Sequence, residues 1–372
     1  MNIALLGCGV VGSGVKEILD ASKQDVKITK ILVKDKNEIK EARMTTDIQE
    51  ILKSDVDVIV ECIGGIDIPF QYISQALQHK KHVVTSNKKV LATHYRELVN
   101  MARKNGVILA FEASVGGGIP WLENIRHIKR VDRISAFEGI FNGTTNYILD
   151  RMTSQGVDFQ AALQEAQALG YAESDPTDDI DGYDVKYKCC LTANVIWNTS
   201  LPLEDILFFG IRNVRKKDIL YAAQKNAVLK LTGKAVKTDK GIQILVIPTF
   251  LSSQENMAQL PKNLNYGKIK SEYLGESCYI GQGAGKYPTA HAVVQDILSI
   301  LEKRELSSKI SEEFPIKKDY ISRFYIRSQR LSSLENFVSD ILDEETILTK
   351  NVNLLELLPY IDENTWIAEI RL

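Results

Sequence analysis

From its first residues the chain alternates short apolar runs with amphipathic ones. Asn2-Ile-Ala-Leu-Leu6 is a run of strand length, and the next segment places Val11, Val15, Ile18 and Leu19 on one helical face. Further strands are predicted at Lys27–Val33, Val56–Glu61, Val83–Thr85 and Val107–Phe111, with helical segments around Asp47–Leu52 and Phe70–Leu77. Strands alternating with helices predict an α/β fold with a doubly wound parallel sheet. The pattern then changes. Ile134-Ser-Ala-Phe-Glu-Gly-Ile-Phe141 and Gly241-Ile-Gln-Ile-Leu-Val-Ile-Pro248 alternate or run apolar beyond what a first domain can cover. From Gly182, the residues Val185, Cys189, Leu191, Ala193, Val195, Ile196 and Trp197 read as a largely buried helix. After a linker near Ser311–Lys318 with Pro315, the tail reads strand (Ser322–Ser328), helix (Leu334–Leu342), strand (Thr346–Thr349), helix (Leu354–Tyr360), strand (Trp366–Leu372).

The junction of the first strand and helix carries Gly7-Cys-Gly9-Val10-Val11-Gly12. Each glycine has a physical role in that context. Gly7 makes the tight turn, Gly9 admits a pyrophosphate to the backbone, and Gly12 lets helix and strand pack closely. Val10 and Val11 open the helix, whose unsatisfied N–H groups and positive dipole end suit phosphates. The pattern reads as a Rossmann-type dinucleotide site; the alternative is a glycine turn in some other α/β domain. The second strand ends in Lys34-Asp35-Lys36; an acid there favours the ribose hydroxyls of NAD(H), a cation the 2′-phosphate of NADP(H). The reading favours NADP(H) through Lys34, with NAD(H) also usable; the alternative is that all three are ordinary turn residues. Gly64, Ser86 and Lys88 fall at the carboxyl ends of strands, where such sheets bind ligands.

A second concentration of chemistry is Tyr171-Ala-Glu-Ser-Asp-Pro-Thr-Asp-Asp-Ile-Asp-Gly-Tyr-Asp-Val-Lys-Tyr-Lys188. Pro176 and the aspartates favour a loop, since Asp side chains compete for backbone donors. Asp184 and Lys188 then share one helical face, one turn apart. Such a pair is most often a solvated surface feature, and an acidic loop is most often merely exposed. Placed on a buried helix, they could instead hold a substrate ammonium and keep a lysine near a carbonyl.

Composition narrows the rest. The 372-residue chain has formal charge −2 and no long basic tract, so it has no electrostatic footprint for nucleic acid. No apolar run approaches membrane-spanning length and the N-terminus opens directly on the first strand, so a cytoplasmic protein without membrane contact is expected. The five cysteines show no paired ligand spacing, so buried thiols are expected rather than disulfides or zinc.

Several segments together resemble homoserine dehydrogenases. They are Glu61-Cys-Ile-Gly-Gly65, Val83-Val-Thr-Ser-Asn-Lys88, Glu112-Ala-Ser-Val-Gly-Gly-Gly-Ile-Pro120, Gly139-Ile-Phe-Asn-Gly-Thr-Thr-Asn-Tyr-Ile148, Glu165-Ala-Gln167, Gly170 through Lys188, and Gly281-Gln-Gly-Ala-Gly-Lys-Tyr-Pro-Thr-Ala290. That family interconverts L-homoserine and L-aspartate 4-semialdehyde with a nicotinamide cofactor, on the way to threonine, methionine and isoleucine. The resemblance implies Lys188 as proton donor, with Lys88 as the second lysine and Asp184 beside it. It implies Glu173 and Asp179 for the substrate amino group, Gly143, Thr144 and Tyr171 lining the pocket, and Gly170, Gly283 and Gly285 at the cofactor. Glu112 with the carbonyls of Val115, Gly117 and Ile119 resembles the family's structural sodium site, where oxygen-only ligands suit a hard cation. The alternative is a glycine turn.

The organisation implied is a dinucleotide-binding domain over 1–120 completed by a helix at 288–305, a catalytic and dimerisation domain over 121–287, and a shortened ACT-like module over 317–372. The family pairs subunits through the sheet of its catalytic region, so a homodimer or homotetramer is expected. The tail lacks one strand and the Pro-Gly-Val effector turn of an ACT domain, which leaves it as a separable module with weak threonine inhibition at most. Two rivals differ in class: a same-fold reductase acting on another amino acid, and a non-catalytic dinucleotide sensor. The sensor has no need of Lys88, Glu173, Asp184 and Lys188 together. The other reductase would turn over saccharopine-type substrates and not homoserine.

Overall fold

In the computed structural model, which describes residues 1–304 and 309–372, the chain divides into two compact units. The first comprises Met1–Val131, Cys190–Leu201 and Gly281–Glu313; the second comprises Asp132–Cys189, Pro202–Ile280 and Phe314–Leu372. Among the described residues, no helix is long and apolar enough to cross a membrane.

The first unit is built on a six-stranded parallel sheet. Its spatial order is Met44–Thr45, Lys27–Leu32, Asn2–Leu6, Val58–Glu61, His82–Thr85 and Leu109–Ala110. Strands buried on both faces explain why Ile3, Leu5, Val58, Val60 and Val84 are all apolar. The chain leaves Asn2–Leu6 to one side and Val58–Glu61 to the other, so the order reverses between these two strands. Their carboxyl ends, Leu6 and Glu61, sit side by side in register. That crevice is where such sheets bind ligands. The two-residue edge strand Met44–Thr45 was too short to show in the sequence pattern, and the last strand is shorter than the predicted Val107–Phe111. The helix Lys286–Leu301 packs on the helix Val10–Ala21, where a Cβ on Gly14 would stand 2.9 Å from Ala290 Cβ. Val293, Val294 and Ile297 join the core of this sheet. The helix ends at Leu301; residue 305, the expected end, lies outside the described residues.

The second unit is organised by a long hairpin, Ala227–Thr238 with Gly241–Ser252, paired from Ala227↔Ser252 to Thr238↔Gly241. Ile134–Ile140 adds antiparallel to Ala227–Thr238, followed outward by Leu264–Ser271 and Gly275–Gln282. The helix Tyr183–Trp197 lies against this sheet at Gly233, where a Cβ would meet Cys189 Sγ at 2.3 Å and Val185 Cγ1 at 2.7 Å. Only a glycine allows this approach, which brings the first turns of the helix down onto the strands.

Phe314–Leu372 belongs to this unit and forms none of its own. Trp366–Arg371 pairs parallel with Gly241–Ser252, and Ile321–Arg327, Thr346–Thr349 and Val338–Asp343 extend the same sheet. The helix predicted over Leu334–Leu342 is absent. Leu331–Phe337 is a 3₁₀ segment and Val338–Asp343 a strand. Leu334, Phe337, Val338 and Ile341 have helical spacing, but a hairpin through Asp343–Thr346 offers Val338–Asp343 a sheet edge, and pairing overrides local preference.

Candidate active site

In the first unit, the turn after Asn2–Leu6 has the geometry a dinucleotide requires. Gly7 adopts φ +92°, closed to most side chains, and its N–H bonds to Leu32 O at 3.1 Å. A Cβ on Gly12 would stand 2.2 Å from Gly7 O, so only glycine lets helix and turn touch. Gly9 is the contrasting case. Nothing lies within 4 Å of where its Cβ would be, and it begins the twelve-residue helix Val10–Ala21 without a side-chain cap. Val10 is 68 % exposed, while Val11 packs against the core of the unit. An open helix N-terminus with uncapped N–H groups fits a pyrophosphate.

The neighbouring loop Cys62–Gly65 is fixed by a buried network. Glu61 is fully buried; its carboxylate accepts hydrogen bonds from Thr85 Oγ1 and, at 2.6 Å, from Ile63 N–H. Burial pushes this carboxyl up to about 7, with the hydrogen bonds opposing. Asn87 donates to Ile63 O and Gly65 O and caps the helix Lys88–Lys104 by accepting from Val90 N–H. Gly64 is exposed with open space around it, Ser86 is half-buried, and Lys88 begins that helix. At the end of Lys27–Leu32, Lys34 and Asp35 are both exposed. The Asp35 carboxylate accepts from Asn37 N–H at 2.8 Å and caps a short turn, which occupies it locally.

The loop Glu112–Pro120 lies in the same unit. Burial pushes the Glu112 carboxyl up to about 8, against the pull of Arg126, which stands 3.3 Å away. Glu112 Oε1 also accepts from Leu122 N–H at 2.9 Å, and Glu112 N–H donates to Asp296. Gly117 (φ +56°) packs on Gly283, where a Cβ would meet backbone at 2.4 Å; Gly118 N–H donates to Gln282 O at 2.9 Å. Ile119 O accepts from Trp121 N–H at 2.7 Å, and Val115 is buried in the loop. Both Glu112 carboxylate oxygens thus have protein donors as partners, Leu122 N–H for one and Arg126 for the other. Gly285 (φ +119°) precedes the helix Lys286–Leu301.

In the second unit, the acidic stretch and the Gly-Thr-Thr turn converge. Asp184 and Lys188 are 2 % and 7 % exposed, with Lys188 Nζ 2.8 Å from Asp184 Oδ2 and 2.6 Å from Phe141 O. The solvated-surface reading of this pair is therefore excluded. Asn142 joins the two segments: its Nδ2 donates to Asp179 Oδ1 at 2.6 Å and to Asp184 Oδ2 at 2.8 Å. Its Oδ1 accepts from Thr145 N–H at 2.7 Å, capping the helix Gly143–Gln155. Thr144 Oγ1 donates to Tyr171 O at 2.7 Å, and the exposed Tyr171 ring meets Tyr147 edge-on at 5.0 Å. Asp179 sits in the one-turn helix Thr177–Ile180, whose flanks Thr177 and Asp181 are both held by Arg212. Glu173 is exposed, its carbonyl held by Gln167 Nε2 at 3.0 Å, and Gly170 turns the preceding helix with φ +74°.

Gly143, Thr144, Gly170, Tyr171, Glu173, Asp179, Asp184 and Lys188 thus share one unit, and Lys88 with Gly7, Gly9, Gly12, Gly64, Gly283 and Gly285 the other, which parts Gly170 from the rest of the predicted cofactor glycines. The sequence reading missed Asn142 and Asn87, which link the motifs in each unit. A signal was present: Asn directly before a helical pattern is a favoured N-cap, although nothing local shows what its amide donates to.

Comparison with known proteins gives the context. The family model "Homoserine dehydrogenase" matches residues 120–298, and "Homoserine dehydrogenase, NAD binding domain" matches residues 7–112. The homoserine dehydrogenase of Bacillus subtilis is 36 % identical over 320 residues, covering 82 % of this chain and 74 % of its own. That of Lactococcus lactis is 34 % identical over 380 residues, covering 94 % and 89 %. Among solved structures, a homoserine dehydrogenase from Thiobacillus denitrificans superposes with TM-score 0.88 at 26 % identity, covering 100 % of this chain and 98 % of its own. The S. aureus homoserine dehydrogenase at pH 7.5 does so with TM-score 0.78 at 32 % identity and the same coverage. With a glycine turn fit for a dinucleotide, a buried Asp–Lys pair, and family matches over most of its length, the chain belongs to the homoserine dehydrogenase family.

Proposed function

We propose that the chain interconverts L-homoserine and L-aspartate 4-semialdehyde, with NADP(H) preferred over NAD(H) and with Lys188 handling the proton. The observation that carries this is the buried Asp184–Lys188 pair, 2.8 Å apart and tied by Asn142 to Asp179. The bound nicotinamide supplies the hydride in one direction and accepts it in the other. When the aldehyde is reduced, negative charge develops on its oxygen. The Lys188 ammonium stabilises that charge and delivers the proton that completes the hydroxyl, and takes it back in the oxidation. Asp184 and Phe141 O hold Nζ in one place, so little reorganisation is needed at the moment of transfer. Asp179 and Glu173 supply negative charge for the substrate ammonium. Gly143 and Thr144 stand at a helix N-terminus, which suits the substrate carboxylate. Lys88, in the other unit, is the second lysine that the family resemblance assigns to the reaction.

The cofactor preference rests on the exposed Lys34 and on the local use of the Asp35 carboxylate as a turn cap. A spectrophotometric assay with L-homoserine should show reduction of NADP more efficient than that of NAD. Lys34→Ala should weaken NADP far more than NAD, because only NADP carries the 2′-phosphate. Equal losses for both cofactors would reduce Lys34 to a turn residue, and no turnover of homoserine by folded, cofactor-binding protein would overturn the activity. A homodimer or homotetramer rests on the family resemblance alone, because the apolar residues of the Ile134–Ile140 and Gly241–Ser252 strands are buried within the single chain. Light scattering at micromolar concentration should give at least twice the 41.7 kDa chain mass; a monomeric mass would refute it.

A further inference from the structure

Lys230 lies in the second unit, in the strand Ala227–Thr238, and is 1 % exposed. Its Nζ donates to Asn146 Oδ1 and to Leu260 O, both at 2.7 Å, and no carboxylate among the described residues bonds to it directly. Burying an ammonium against neutral acceptors is costly, and a leucine or methionine would serve a plain core better. Burial accordingly pushes its pKa down to about 8. What the ammonium secures is Asn146. That residue lies in the first turn of the helix Gly143–Gln155, and its Nδ2 donates to three carbonyls of one loop: Lys262 at 2.9 Å, Leu264 at 3.2 Å and Leu260 at 3.3 Å. The same loop presses on the start of the helix, since a Cβ on Gly143 would stand 2.6 Å from Asn263 O. Asp150, two turns along the helix, accepts from Lys262 N–H at 3.1 Å.

We propose that Lys230 is a positioning residue for the substrate site: with Asn146 it locks the loop 260–264 beneath the helix Gly143–Gln155 and so fixes Gly143 and Thr144. The proposal rests on the reading of those two residues as substrate contacts. Neither Lys230 nor Asn146 touches the substrate. Their role is to keep a helix N-terminus and a hydroxyl from drifting, and a displacement well under a bond length is enough to weaken binding there.

The test is steady-state kinetics on the full-length protein, measured well below each variant's melting temperature. Lys230→Met, which keeps the length and removes the ammonium, should raise KM for L-homoserine by roughly 10- to 100-fold. Its kcat should stay within about threefold and its KM for NADP should be unchanged, the signature of lost substrate binding rather than lost chemistry. Asn146→Ala should do the same, and the double variant should be no worse than the more severe single one, because both act through one lock. Lys230→Gln, which retains an amide donor, should recover part of the affinity and serves as the folded variant if Lys230→Met is insoluble. Folded variants with a lowered melting temperature but wild-type KM would overturn the proposal and leave Lys230 a structural residue only. Thr144→Ala separates the two levels. If it leaves KM for homoserine unchanged while the Lys230 variants raise it, the contact runs through the helix N–H groups rather than the hydroxyl; if neither raises KM, the substrate-contact reading itself fails; if it raises KM while the Lys230 variants do not, only the positioning role fails.

Discussion

Replacing Lys188 by alanine is expected to lower kcat for homoserine oxidation by roughly 100- to 10,000-fold, the range a positioned proton donor contributes. Cofactor affinity should be nearly intact, because the glycine turn and Lys34 belong to the other compact unit. The substitution also leaves Asp184 buried without its ammonium partner, which stands 2.8 Å away in the native protein. A stability loss is therefore expected alongside the kinetic one, since removing one member of a buried pair strands the other charge. Asn142 still donates to Asp184 Oδ2 and limits that loss. Circular dichroism and NADP titration distinguish the two effects. A folded, cofactor-binding variant with wild-type kcat would remove Lys188 from the chemistry and direct attention to Lys88.

Ending the chain at Lys303 is expected to give insoluble or inactive protein, against the separable tail that the linker pattern predicts. Residues from Phe314 onward share a core with the catalytic strands: Leu245 and Ile247 pack with Phe324, Ile326, Ile347, Leu354 and Ile367. Fully burying each such side chain is worth about 1.5–3 kcal/mol, so exposing even Leu245 and Ile247 takes a large share of a typical total of about 5–15 kcal/mol. Two buried ion pairs cross the same boundary. Arg327 meets Asp218 at 3.1 Å with both nearly inaccessible, and Glu369 pairs with Lys234. Truncation would strand Asp218 and Lys234, each such loss costing about 3–5 kcal/mol. It would also bare the edge of Gly241–Ser252, now paired with Trp366–Arg371, as a template for aggregation. Soluble, fully active truncated enzyme would refute this account and restore the detachable tail.

The tail shows where local pattern stops being informative. Its strands at Ile321–Arg327, Thr346–Thr349 and Trp366–Arg371 were legible because each is a short apolar run with β-branched and aromatic residues. Their joining to the catalytic sheet was not. Pairing of Thr249 with Glu369 spans a separation that no window of sequence covers. The segment Val338–Asp343 shows the same limit, since its apolar spacing fits a helix and only a neighbouring strand edge makes it a strand.

The site divides along the same line. Gly7, Gly9 and Gly12 could be given their roles from spacing alone, because a strand–turn–helix junction is a local object whose backbone demands follow from a few residues. Asp184 and Lys188 were placed on one face by the helical period. Whether that face was wet or buried was beyond the sequence. The decision came from Gly233, which lets the helix Tyr183–Trp197 settle on the sheet, and from Phe141 O, which accepts a hydrogen bond from the lysine at 2.6 Å. Asn142 and Lys230 look like an ordinary helix cap and an ordinary strand lysine in the sequence. Their partners, Asp179 and Asp184 for one, Asn146 and Leu260 for the other, lie far along the chain. Sequence by itself therefore determined the elements, the dinucleotide turn and the residue types of the chemistry, since each depends on neighbours within a turn or a strand. Tertiary structure alone decided which charges are desolvated and what each buried donor serves, because burial and hydrogen-bond partnership belong to segments brought together only by folding.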